Sequence, residues 1–157
     1  MKSPLFLRIA SIITLLYFAG HTSGIPWTPA VGPGEAPVLE AMKSHSFEVM
    51  GFKRTYWDFY FGFGLIISGF VLVQTIVLWQ LGSLARTDAV RVRPIIASFL
   101  IAFIVNALLA WKYFFAVPVV MTVAISVCLA LAFATAGRTQ AAPQGAPADG
   151  SASRPRR

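Results

Sequence analysis

The chain has 157 residues, 57% of them apolar and only 12% charged, which is too little charge to solvate an ordinary soluble domain and places it in the membrane class. Its formal charge of +7 does not indicate nucleic acid, because the basic residues fall in short patches between apolar runs and do not form one continuous face. The single cysteine, Cys128, excludes an internal disulfide and a cysteine-based metal cage.

The first apolar run, Leu5 to Thr22, follows Lys2 and contains Arg8, close enough to its start to snorkel back to the surface. Small residues at Ala19, Gly20, Ser23 and Gly24 give it some features of a signal peptide. We read it as a retained helix, because Ser11, Thr14, Phe18 and His21 recur at helical spacing and form a face suited to packing against other helices. Gly24 to Pro37 is too rich in Pro and Gly for a regular element. Val38 to Met50 reads as a short amphipathic interfacial helix with Leu39, Met42, Val49 and Met50 on one side, ended by Gly51.

Thr55 and Asp58 stand in the relation of a capping box and start the central helix. From Phe59 to Ala85 no residue is charged, and about 27 residues at ~1.5 Å rise cover ~40 Å, enough to cross a bilayer core of ~30 Å. Tyr56, Trp57 and Tyr60 mark one interface, and Trp79 and Arg86 the other. After a loop from Arg86 to Pro94, a third helix is expected to start at Pro94 and run to Tyr113. The turn near Lys112 to Pro118, flanked by Trp111 and Tyr113, leads into a fourth helix from Pro118 to Ala136.

The expected fold is therefore all-α: an integral membrane four-helix bundle over residues 1–137, with spans at about 5–22, 56–82, 95–113 and 118–136 and a loop at 23–54 facing out of the cell. Residues 138–157 read as a disordered basic cytoplasmic tail. Nine of the Lys and Arg residues (Lys2, Arg8, Arg86, Arg91, Arg93, Arg138, Arg154, Arg156 and Arg157) fall on the side of the termini, against Lys43, Lys53, Arg54 and Lys112 on the other. The positive-inside rule then predicts both termini in the cytoplasm.

The second, third and fourth predicted spans each carry a stripe of small residues: Gly64, Ser68, Thr75 and Gly82; then Ser98, Ala102, Asn106 and Ala110; then Ala124, Cys128, Ala132 and Ala136. Gln74 and Asn106 are polar residues at membrane depth, and the simplest expectation is that they face one another.

Acid-base potential collects on the outward side. His21 near a carboxylate such as Asp58 can in principle move protons at neutral pH, although His21 also suits a helix cap and Asp58 already serves the capping box. Arg54, Tyr60, Lys112 and Trp27 are the candidate ligand-binding residues, with interface anchoring as the structural explanation for each. His45 and Glu48 form an H-x-x-E pair, but two histidines in the chain under-supply a zinc or haem site, so neither a metal nor a cofactor is expected.

Gly20, His21, Thr22 and Gly24, then Pro26, Trp27, Thr28 and Pro29, then Trp57, Asp58, Phe59, Tyr60, Gly62, Phe63 and Gly64 form a pattern that resembles a family of small uncharacterised bacterial inner-membrane proteins. The likeness extends to Leu78, Trp79, Gln80, Leu81 and Gly82. It implies four transmembrane helices with a retained first helix in the bacterial inner (plasma) membrane, and it implies no activity. The leading functional expectation is a non-enzymatic accessory or scaffold subunit, in contact with the lipid bilayer and with a second copy or a membrane-protein partner, and not with nucleic acid. The alternative is a protein or enzyme that takes a small hydrophobic ligand, a quinone or lipid, at a polar site in the outer leaflet. An oligomeric transporter is a third reading, set back by the lack of an ionised residue at the midplane.

Overall fold

A computed structural model describes residues 2–24 and 32–137. Pro26, Trp27, Thr28 and Pro29 of the sequence pattern and the basic tail lie outside the described residues. The elements run α1 (Ser3–Gly24), α2 (Glu35–Ser44), β1 (Ser46–Val49), β2 (Phe52–Thr55), α3 (Tyr56–Leu84), α4 (Ala89–Tyr113) and α5 (Ala116–Ala136). Among them, α1, α3, α4 and α5 are each long and apolar enough to cross a membrane. The chain is a multi-pass all-α membrane protein. Its surface matches that reading, since Phe70, Leu108 and Val120 are each about two-thirds exposed and would be misplaced in water.

The long helices pack in the order α3, α1, α5, α4, while α3 and α4, although joined by a tight turn, touch little. Leu7 and Ala10 of α1, Leu78 and Leu81 of α3, Ile96 and Phe103 of α4, and Ile125 and Leu129 of α5 form the buried core. The face expected on α1 is the one that packs: Ser11 and Thr14 are buried, and Phe18 and His21 are half-buried. In the α1–α3 seam Ser11 Oγ donates to the Thr75 carbonyl at 2.8 Å, and Thr22 Oγ1 donates to Ser68 Oγ at 2.9 Å. The small-residue line of α3 is buried against α1, with Gly64, Ser68, Thr75 and Gly82 all inside.

On α4 the expected packing face is wrong. Ser98, Ala102 and Asn106 point out of the bundle, and of that line only Ala110 is buried; the helix packs instead through Val92, Ile96 and Phe103. Small-residue spacing measures how close a neighbour can come and does not say which neighbour is there. Gln74 and Asn106 do not meet. Gln74 lies about 15 Å along α3 from Leu84 and Asn106 about 26 Å along α4 from Ala89, so they sit at different depths on helices that barely touch. Gln74 Oε1 is buried without a hydrogen-bond partner.

The third span also starts earlier than Pro94. Asp88 Oδ1 accepts from the Arg91 backbone N–H at 3.1 Å, a side-chain cap that starts α4 at Ala89 and leaves Pro94 inside the helix. Pro118 is in the first turn of α5, where its missing N–H costs no ladder bond.

The main departure from the sequence reading comes before α3. The amphipathic helix ends at Ser44, and residues 46–55 form an antiparallel hairpin pairing Phe47 with Arg54, Glu48 with Lys53 and Val49 with Phe52. Met50 and Gly51 alone make the turn, with φ of 51° and 83°. Two successive positive φ values define a type I′ turn, whose twist matches that of the strands it joins. Gly51 therefore reverses a hairpin and does not end a helix. His45 and Glu48 consequently fall on a helix cap and a strand, which removes the shared helix turn on which their pairing as metal ligands depended.

Candidate functional site

The hairpin and the start of α3 form one unit, because Thr55 is both the last residue of β2 and the N-cap of α3. Asp58 Oδ2 accepts from the Thr55 backbone N–H at 2.8 Å, and Thr55 Oγ1 accepts from the Asp58 backbone N–H at 3.1 Å. The capping box thus forms as read from the sequence. Residues opposite one another on paired strands share a face, so Arg54 is on the same side of the hairpin as Phe47. Phe47 lies against α3, its ring 4.9 Å from that of Tyr56 and 5.8 Å from that of Phe59. This places Arg54 over α3, one turn from Asp58.

Arg54, Asp58, Phe59, Gly62, Phe63 and Ile66 line an open groove of about 220 Å³. Its polar residues are at the junction of the hairpin with α3, and its floor follows α3 down through positions 59, 62, 63 and 66, spaced to share one helix face. Gly62 keeps the floor low, since an added Cβ there would meet nothing within 4 Å. The Arg54 guanidinium donates to the Lys53 carbonyl at 2.8 Å and lies 5.4 Å from the Phe52 ring centre. It forms no ion pair with Asp58; the ion pair present among the described residues is that of Arg91 with Asp88. The groove therefore carries one cation and one carboxylate at its rim above an apolar floor, an arrangement complementary to an amphiphile.

Aromatic contacts hold the platform around it. His45 stacks on Tyr56 at 5.8 Å, Phe59 meets Phe63 at 6.1 Å, and Trp57 contacts both Tyr60 at 5.6 Å and Phe61 at 6.2 Å. Lys43 of α2 places its Nζ 4.9 Å from the Trp57 ring centre, tying α2 to α3.

Of the candidate residues, Arg54 and Asp58 are brought to one groove. Tyr60 is not among its lining residues and packs tilted against Trp57. Lys112 is on α4, its Nζ over the neighbouring Tyr113 ring at 5.0 Å. His21 stacks on Tyr17 within α1. The adjacent Thr22 bonds Ser68, which lies about 15 Å along α3 from Asp58, so His21 and Asp58 do not form an acid-base pair. Trp27 lies outside the described residues. No group of three His, Cys, Asp or Glu side chains suited to a metal ion occurs among the described residues. Sequence reasoning missed Phe59, Gly62, Phe63 and Ile66 as a floor; their spacing of three and four was visible, but the hairpin that covers them was not.

No protein-family model matches this chain, and no curated protein or solved structure matches it.

Proposed function

We propose that the protein is a non-enzymatic scaffold or accessory subunit of a bacterial inner membrane that associates sideways with a second copy through the outer face of α4. The observation that carries this reading is Asn106. Its side chain is exposed about 10 Å inward from Tyr113, and it makes no hydrogen bond to any described residue. Hydrocarbon offers a carboxamide no partner, at a cost of about 4–8 kcal/mol on water-to-cyclohexane scales. A carboxamide both donates and accepts, so two copies related by a two-fold axis satisfy each other at this position. Ala102 and Ser98, one and two turns away on the same exposed line, allow the backbones to approach.

The test is cross-linking of Ala102→Cys in a Cys128→Ser background, with and without Asn106→Leu, together with energy transfer between labelled copies in vesicles. We expect an Ala102→Cys disulfide dimer and energy transfer that both fall several-fold on removing Asn106, while the monomer fold is kept. Equal association with leucine at 106, or no cross-link, refutes the reading.

The excess of Lys and Arg at the chain-start end supports both termini in the cytoplasm, and the sequence pattern supports membership of the small bacterial inner-membrane family. A carboxy-terminal alkaline phosphatase fusion that is active outside the cytoplasm contradicts the orientation.

The groove favours a second reading, a small hydrophobic-ligand protein holding a lipid or quinone with its head at Arg54. Gly62→Leu fills the floor without touching the rim. Under this reading it removes a co-purifying amphiphile that wild-type protein retains, and the reading fails if both proteins carry the same extractable lipids and quinones.

A further inference from the structure

Two arginines enter the spans at the end of the bundle that carries the α3–α4 turn. Arg8 lies about 7 Å along α1 from Ser3, and Arg93 about 6 Å along α4 from Ala89. Neither is neutralised by a described residue. The ion pair at this end joins Arg91 to Asp88, and neither Arg8 nor Arg93 makes a hydrogen bond or ion pair with any described residue. The remaining described acids, Glu35, Glu40, Glu48 and Asp58, belong to the opposite end.

Both guanidiniums are held in place. Arg8 Cζ lies 4.4 Å from the Trp79 ring centre of α3, and Arg93 Cζ lies 4.2 Å from the Phe133 ring centre of α5. Each side chain also runs along a glycine of the same neighbour. A Cβ added to Gly82 would come within 3.1 Å of Arg8 Cγ, and one added to Gly137 within 3.2 Å of Arg93 Cζ. One arrangement thus occurs twice, on the α1–α3 seam and on the α4–α5 seam: an arginine near a helix start, against an aromatic residue and a following glycine on an antiparallel partner.

We propose that each of these two stations holds the phosphate of an anionic phospholipid in the adjoining leaflet. A snorkelling arginine that serves only as an anchor extends toward water. These two lie across a neighbouring helix, with each Nε buried and unpartnered, which leaves the terminal Nη1 and Nη2 groups to donate outward. The depth of one to two helical turns is headgroup level, where lipid phosphate is the abundant anion, and a guanidinium matches phosphate oxygens in planarity and donor spacing. The ring supports the cation from one side and helps fix its direction.

The test uses the full chain in mild detergent, titrated with phosphatidylglycerol or phosphatidylcholine of the same acyl chains and read by native mass spectrometry. We expect two retained phosphatidylglycerol molecules, each preferred over phosphatidylcholine about five-fold, the ratio expected for one basic residue near the surface. Arg8→Gln and Arg93→Gln each remove one of them. Gly137→Leu keeps every charge but fills the Arg93 guanidinium's seat, where a Cβ alone already comes within 3.2 Å of Cζ and 3.3 Å of Nη1, and it removes the α4–α5 molecule while leaving the other; an effect of net charge alone leaves both. Equal retention of the two lipids by wild-type protein overturns the proposal, and so does retention of both molecules by a folded Arg8→Gln/Arg93→Gln variant. If that double variant does not fold, the wild-type preference and Gly137→Leu still decide. Displacement of the lipid by excess inorganic phosphate assigns the stations to a free anion and also overturns it.

Discussion

The α1–α3 seam makes a quantitative prediction about two glycines of one helix. Gly69 faces outward, and a Cβ there meets nothing within 4 Å; at Gly82 a Cβ meets Arg8 Cγ at 3.1 Å, the Pro4 carbonyl oxygen at 3.4 Å and Leu7 Cβ at 3.6 Å. Alanine in place of a mid-helix glycine gains about 0.8–1.0 kcal/mol of helix propensity, so Gly69→Ala is expected to leave the protein as stable or more so. Overpacking a close seam costs about 1–3 kcal/mol, so Gly82→Ala should cancel that gain, since the Arg8 stem can yield a few tenths of an ångström. Valine adds two methyl groups where the Pro4 carbonyl cannot move without shifting α1. Gly82→Val should therefore be less stable than Gly69→Val by about 1–3 kcal/mol. The assay is reversible unfolding in mixed detergent micelles, followed by Trp79 fluorescence at the seam and by helix content. Equal stabilities for the two valine variants refute the packing of α1 on α3, and with it the place of the first helix in the bundle.

The remaining predictions concern the hairpin, its junction with α3 and the seam hydroxyls. Met50 adopts a left-handed conformation that costs an ordinary residue about 1–2 kcal/mol, so Met50→Gly should slow amide exchange at Phe52 and Val49, and Gly51→Val should accelerate it by a comparable factor. Unchanged exchange in both variants argues against the I′ turn. Thr55→Ala and Asp58→Ala each remove one half of a reciprocal cap and should each cost about 1 kcal/mol, with the double variant well short of the sum. Strict additivity in that cycle means the two side chains do not act together. For Thr22 and Ser68 a double-mutant cycle to Val and Ala should give a coupling of about 0.6 kcal/mol, as is usual for hydroxyl pairs inside membranes, and a coupling of zero removes the hydrogen bond from the account.

Much of the architecture was legible because the bilayer imposes a length on each span, and long uncharged runs such as Phe59 to Ala85 have few other uses. The capping box at Thr55 and Asp58 was legible for a local reason: both partners lie within one helical turn. The hairpin was not. Phe47, Val49, Phe52 and Arg54 alternate for too few residues to outweigh a helical reading, and Met before Gly lacks the side-chain preference for positive φ that Asn or Asp would have shown. The onset of α4 was misjudged because Pro94 is a visible start signal, whereas the Asp88 cap that begins the helix six residues earlier looks like a loop acid beside arginines. The groove followed from the same omission, since Arg54 comes to lie over Gly62 only when a strand, and not a helix, delivers it to α3. The outward face of α4 was beyond any reading of one chain, because the sequence records a capacity for close approach without naming what approaches.

The absence of a linker between β2 and α3 has a mechanical consequence. Because Thr55 belongs to both elements, the hairpin is a rigid handle on a rod of 29 residues, about 43 Å long. Tilting that rod by about 10°, well within the range seen for membrane helices, sweeps the far tip through roughly 7 Å. A change in bilayer thickness would thereby register at the handle as displacement, with no joint in between to absorb it.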